Sequence, residues 1–288
     1  MTFDEYQIAA QKTDKTFGVG QDDLLVPLLG LSGEVGSLLT LYKKWLRDGD
    51  SYQVVEERIG EELGDILWYV SAVARRKNLR LSALAAANLE KTASRWLQPT
   101  DQVLFDESYP ESERLPRQFV AELRDEQHGL VNLIIDGTSF GAKLKDNAYE
   151  SDGYRFHDVF HLASATILGW SPVIRALLGR KRKSKASVDE VEDGGRAIAI
   201  EEGVSAVVFN YASQHSFLDG VTTIDWTLLR TCHEMTSRLE VSSRTLYEWE
   251  QMLLKCYEVW RKVRDSNGGV IQCDLTARAF EFVDVPLV

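Results

Sequence analysis

Apolar positions along the first hundred residues recur at three- and four-residue spacing, which predicts amphipathic helices. Thr2 and Glu5 form a capping box that opens a first helix. Asp22 or Asp23, with Pro27 in or near the first turn, opens a second, which Asp48-Gly49-Asp50 closes. Ser51 can cap a third helix whose stripe is Val55, Ile59, Leu63, Ile66, Val70 and Val73. Ser82 can cap a fourth, ending near Trp96. After residue 97 the period is lost. LQPTDQVLFDESYPESERLPRQ holds three prolines, so a linker is expected at 101–117, between a 1–100 module and a 118–288 domain.

Beyond that stretch, RQFVAELR and LVNLIID read as strands followed by a Gly-containing turn, and VIQCDLTARAFEFV alternates like a hairpin pair. Helices are expected near 154–168, 195–213, 225–240 and 243–265. The fold class is therefore mainly α: a four-helix all-α module, then an α+β domain with a small antiparallel sheet. Leu246, Trp249, Leu253, Cys256, Trp260 and Val263 form one helical stripe and are read as core. Cys256, like Cys232 and Cys273, is expected to be a small buried hydrophobe, since no CxxC pair is present.

The chain has 288 residues, enough for two cores, with 44% hydrophobic and 27% charged residues, as in ordinary globular proteins. A net charge of -11 repels phosphate backbones, so nucleic acid is not the expected partner. The basic run Arg180, Lys181, Arg182, Lys183, Lys185 is read as a solvated loop joining two helices. MTFDEYQ lacks the features of a signal peptide, and no uninterrupted apolar run approaches spanning length. A cytoplasmic location without membrane contact is the expectation.

Candidate chemistry lies first on GLSGEVGSLLTLYKKW and EERIGEELGDILWYV. Glu62 and Asp65 are about 60° apart on one helix face, and so are Glu34 and Ser37. Two such helices packed together aim carboxylates at one cleft, a donor set that suits Mg2+. The competing reading is that these acids are ordinary solvated helix residues. That reading suits Glu56, Glu57 and Glu61, whereas Glu62 and Asp65 border the packed stripe.

These segments, with EYQIAAQKT and ANLEKTASRW, resemble the ExxE, spacer, ExxD signature of the MazG-like all-α nucleotide pyrophosphohydrolases, over roughly the first third of the chain. The resemblance implies Glu34, Glu62 and Asp65 as ligands of Mg2+, with Mn2+ as a substitute. It implies Glu34 or Glu61 as the base. Lys44, Asn88, Lys91 and Arg95 match the groups that hold the triphosphate; alternatively the last three form a surface ladder, with Arg95 offering its fork to a carboxylate.

The implied activity is hydrolysis of a nucleoside triphosphate to monophosphate and pyrophosphate, and sites in such modules are often completed by homo-oligomerisation. Ser37 departs from the signature, standing where the family has a second acid. That loss motivates the alternative of a catalytically weakened nucleotide-binding regulator. Gln7 with Trp68 or Tyr69 could contact the base, or simply pack.

A second polar cluster is DNAYESDGYRFHDVFHLA followed by GWSP. His157 and His161 stand at i and i+4 with Asp158 beside them, and a later helix carries Asp193, Arg196, Glu201 and Glu202. Metal binding or proton transfer is one reading. A histidine pair hydrogen-bonded to buried glutamates, fixing helix packing, is the other. The segment resembles C-terminal extensions of some MazG-like proteins, which bring no reaction with them.

Overall fold

The computed structural model describes residues 1–15, 24–49, 56–98, 103–126 and 129–283. The expected caps at Asp22, Asp23 and Ser51, and Val55 of the third stripe, lie outside these. The chain divides into two compact units, Met1–Ala93 and Ser94–Val288.

The first unit is built of α1 (Phe3–Gln11), α2 (Leu25–Asp48), α3 (Glu56–Arg76) and most of α4 (Leu81–Trp96). The Thr2–Glu5 capping box forms as expected, and Gly49 closes α2 at φ 57°. Ser82 does not cap α4. Gln7 Oε1 accepts from Leu81 N, Asp4 Oδ1 accepts from Ser82 N, and Gln7 Nε2 donates to Leu79 O, so α1 side chains satisfy the start of α4. Gln7 is thereby committed to helix docking, and Trp68 Nε1 donates to Thr13 Oγ1.

Helix α2 packs along α3, and Gly30 permits this, since a Cβ there would run into the Tyr69 ring. Of the two readings of Tyr69, this contact favours packing. The α3 stripe is less buried than its period suggests: Ser71, Ala72 and Ala74 are buried, while Leu63 is exposed. Among the described helices, α2 alone is long and apolar enough to cross a membrane by length and composition. It leaves Leu28, Leu29, Leu39, Tyr42 and Leu46 exposed.

The second unit contains one five-stranded antiparallel sheet, ordered β3-β2-β1-β4-β5: β1 (Gln118–Glu126), β2 (Leu130–Ile135), β3 (Thr138–Leu144), β4 (Gly268–Asp274) and β5 (Ala279–Val283). β1 pairs with β2 (Ala121 opposite Ile135) and with β4 (Phe119 opposite Cys273). Phe119, Ala121 and Leu123 point inward in strict alternation. β3 was not expected; its TSFGAKL is mostly exposed edge sequence with no hydrophobic alternation.

The helices are α5 (Asp158–Ala163), α6 (Pro172–Leu177), α7 (Ala186–Val191), α8 (Gly195–Gln214), α9 (Trp226–Met235) and α10 (Leu246–Asp265). The single helix expected over 154–168 is composite: a 3-10 turn at Tyr154–Phe156, then α5, then a π-helical turn at Ser164–Leu168. α6 and α7, six residues each, are too short for periodicity to reveal. The helix expected at 225–240 ends at Met235.

The α10 stripe is fully buried, Trp249 and Cys256 included, and all three cysteines are free and buried. Residues 103–117 are not an independent connector. Asp106 and Leu115 are buried in this unit, where Asp106 accepts from Leu115 N, Arg117 and Arg175.

Candidate functional site

Packing of α2 against α3 brings Glu34 near enough to Glu62 for the one carboxyl group to act electrostatically on the other. Partial burial, then the charges of Glu34, Asp65 and Glu61, push the Glu62 carboxyl above its ordinary value. Asp65 in turn lies near enough to Tyr6 on α1 to add to the upward push that burial exerts on its phenol. Tyr6 sits in the EYQ segment, but nothing in its spacing marks it as a neighbour of the acids. Glu61 and Asp65 are exposed; Glu34, Ser37 and Glu62 are half-buried.

Glu34, Glu62 and Asp65 offer oxygen donors of the kind Mg2+ takes, but among the described residues these three do not bring one ligand atom each within 4.8 Å of the others. Lys44 is exposed on α2, where its charge acts on Asp48, and Asn88 and Lys91 are exposed on α4. Among the described residues, none of these three contacts the acids.

Arg95 is placed differently. It is buried, with Nη1 and Nη2 each 2.8 Å from a Glu250 oxygen and Nη2 also donating to Ile224 O. Glu250 Oε1 further accepts from Ile224 N at 2.7 Å. The assignment of Arg95 to triphosphate binding is therefore corrected: its fork is spent on a carboxylate, the alternative noted for it. Sequence alone could not tell these apart, because Glu250 lies 155 residues away.

The histidine cluster assembles in the second unit. Gly153, at φ 85°, starts the 3-10 turn ahead of α5; any Cβ there would come within 2.9 Å of Trp260. His157 stacks on Tyr154 at 4.5 Å and places Nδ1 2.9 Å from Tyr154 O. One turn on, His161 is fully buried, with Nδ1 2.9 Å from Glu201 Oε1. Glu201 also accepts from Ser171 Oγ at 2.7 Å and from Val173 N at 2.9 Å, so its carboxylate is well satisfied.

Burial would lower the His161 pKa, but Glu201 and Glu202 outweigh it and raise it to about 10. His161 Nε2 stands 3.5 Å from Glu202 Oε2, yet has no hydrogen-bond partner among the described residues. That ion-pair contact holds Glu202 below its ordinary value. Asp158, buried beside them, is pushed up by burial. Ser171 is a participant whose spacing carried no signal beyond its place in GWSP.

Other members of the expected set go elsewhere. Asp193 is buried against Arg182, with Nη2–Oδ1 at 2.7 Å, and Arg182 also grips Glu240 at 2.7 Å and 2.9 Å. The solvated-loop reading of the basic run is corrected at Arg182, which is 1% exposed. Arg196 lines a separate cleft with Arg238, Met235 and Ile200.

The sequence of residues 100–286 matches the family model described as "MazG C-terminal domain". The chain is also 40% identical over 101 residues to the Gene 37 protein of Mycobacterium phage L5, a match covering 33% of this chain and 89% of that protein. No solved structure matches. A match over well more than half of the chain, across the sheet and the helices packed on it, shows that this protein belongs to the MazG C-terminal domain family.

Proposed function

We propose that this chain is a Mg2+-dependent nucleoside triphosphate pyrophosphohydrolase whose site is carried by α2 and α3. The supporting observation is the juxtaposition of Glu34 and Glu62 across the helix contact, with Asp65 one turn further. Membership of a MazG-related family, of a kind found in nucleotide pyrophosphohydrolases, is consistent with it.

Glu34, Glu62 and Asp65 would hold the cation. When bound, Mg2+ neutralises phosphate charge and lowers the pKa of a coordinated water. Glu34 or Glu61 takes the proton from the attacking water; Glu34 has the more sheltered position and Glu61 the more exposed. Lys44, Asn88 and Lys91 remain the candidates for the triphosphate, Arg95 having been assigned to Glu250.

The exposed apolar side chains of α2 favour a homo-oligomer that covers this helix. Its interior Glu34 and its packing along α3 favour a helix of a folded module rather than a membrane span.

The test is product identity. Purified full-length protein is incubated with Mg2+ and a panel of nucleoside triphosphates, and products are separated by ion exchange. Monophosphate plus pyrophosphate is the expected pair; diphosphate plus orthophosphate would sink the reading. Ser37, a hydroxyl where the family signature has an acid, favours one second reading, a nucleotide-binding regulator. Saturable nucleotide binding with no product of either kind would support it.

A further inference from the structure

We infer that His157, Asp158, His161 and Glu202 form a site for one divalent transition-metal cation of the Zn2+, Mn2+ or Fe2+ class, carried wholly by the Ser94–Val288 unit. It goes beyond the reaction proposed for the N-terminal acids.

Three observations converge. One ligand atom from each of His157, Asp158 and His161 lies within 4.8 Å of the others, and Glu202 Oε2 is 3.5 Å from His161 Nε2. Donors about 2.1 Å from an ion in a tetrahedron stand about 3.4 Å from one another, so the His161–Glu202 separation already suits one ion, and the other ligand atoms have only to draw in from within 4.8 Å. Secondly, His161 Nε2 is fully buried, points into this cluster and lacks a hydrogen-bond partner among the described residues. A buried ring nitrogen whose nearest polar neighbour is a carboxylate at 3.5 Å, without a hydrogen bond, calls for an explanation, and a cation between the two supplies one.

Thirdly, both imidazoles are already oriented. His161 Nδ1 is held by Glu201 and His157 Nδ1 by Tyr154 O, which leaves Nε2 of each ring as the nitrogen that can ligate an ion, in His161 once a cation displaces its proton. A carboxylate or carbonyl behind a ligating histidine is the usual way of fixing its tautomer and ring plane.

The local chain is also shaped for a site. The helical run bearing both histidines widens into the π turn Ser164–Leu168, a distortion often found where side chains are aimed for function. His157 and Glu202 are partly exposed and give an ion a way in. Two imidazoles with two carboxylates select a borderline transition metal over Mg2+ or Ca2+.

The experiment uses full-length protein stripped with chelator, titrated with Co2+ alone and then challenged with Zn2+ alone. Expected are visible absorption bands more intense than those of the aqueous ion, rising to a plateau at one Co2+ bound in the histidine site, and their loss on adding Zn2+. Glu202→Gln, at a partly exposed position that leaves the fold in place, should weaken Co2+ binding by about 10-fold or more, and Asp158→Asn likewise. Glu62→Gln should leave the bands unchanged. Absence of enhanced bands in the wild type, or equal Co2+ affinity in Glu202→Gln, would overturn the site and leave the cluster as an ionic brace between α5 and α8. The wild-type spectrum and Glu202→Gln decide the matter even where Asp158→Asn does not fold.

Discussion

His161 and Glu201 face each other inside the core of the second unit, Nδ1 to Oε1 at 2.9 Å with both side chains fully buried. Because Glu201 also accepts from Ser171 and Val173, a Glu201→Gln carboxamide cannot satisfy every donor around it. The expected loss is about 3 kcal/mol in urea denaturation. Glu202→Gln, with its side chain 44% exposed, should cost under about 1 kcal/mol. Equal costs would mean that Glu201 is not the buried anchor.

Arg95 and Glu250 give a second contrast. Removing the guanidinium leaves a buried carboxylate with only Ile224 N to bind, so Arg95→Ala should cost about 3–5 kcal/mol. Lys91→Ala, at an exposed position, should leave stability within about 0.5 kcal/mol. Chemical denaturation of both variants checks this; a stable Arg95→Ala protein that has lost only nucleotide affinity would restore Arg95 to the substrate.

Asp106 sets an acid limit on stability. Burial alone would raise its pKa, but Arg175, the Leu115 N–H and Arg117 outweigh burial and hold it below the ordinary value. A folded pKa below the unfolded one contributes stability that is complete above the unfolded value, near 3.8, and is lost as pH falls through the folded value. Unfolding free energy, followed by denaturation from pH 6 to pH 3, should therefore drop at the acid end. The drop should be shallower in Asp106→Asn; parallel profiles would count against Asp106 as a source.

Gly30 couples packing to the proposed site. Alanine would improve helix propensity by about 1 kcal/mol, but its Cβ meets the Tyr69 ring, and overpacking costs about 1–3 kcal/mol. Gly30→Ala should thus push α2 from α3, part Glu34 from Glu62 and reduce hydrolysis. Adding Tyr69→Val should recover activity. If Gly30→Ala hydrolyses nucleotide at the wild-type rate, the helix spacing does not govern the site.

The elements with long, regular periods were legible in the sequence: the Thr2–Glu5 cap, the α10 stripe and the paired strands around Phe119 and Cys273. Local patterns specify these. What stayed hidden depends on partners remote in sequence. Arg182 lies in a basic run that looks solvated until Asp193 and Glu240 close around it. Asp4 and Gln7 cap a helix more than 70 residues later, a role that no local motif encodes. The acids of the proposed site stand out in the sequence by spacing, but the nearness of Glu34 to Glu62 depends on α2 packing along α3 at Gly30.

The most direct measurement of the central proposal is the initial rate of pyrophosphate release at saturating Mg2+ and triphosphate, for the wild-type chain beside Glu62→Gln. Removal of one negative ligand from the Glu34, Glu62 and Asp65 set should lower kcat by at least about 100-fold while the circular dichroism spectrum is unchanged. Undiminished pyrophosphate release by a folded Glu62→Gln protein would contradict the assignment of catalysis to these acids.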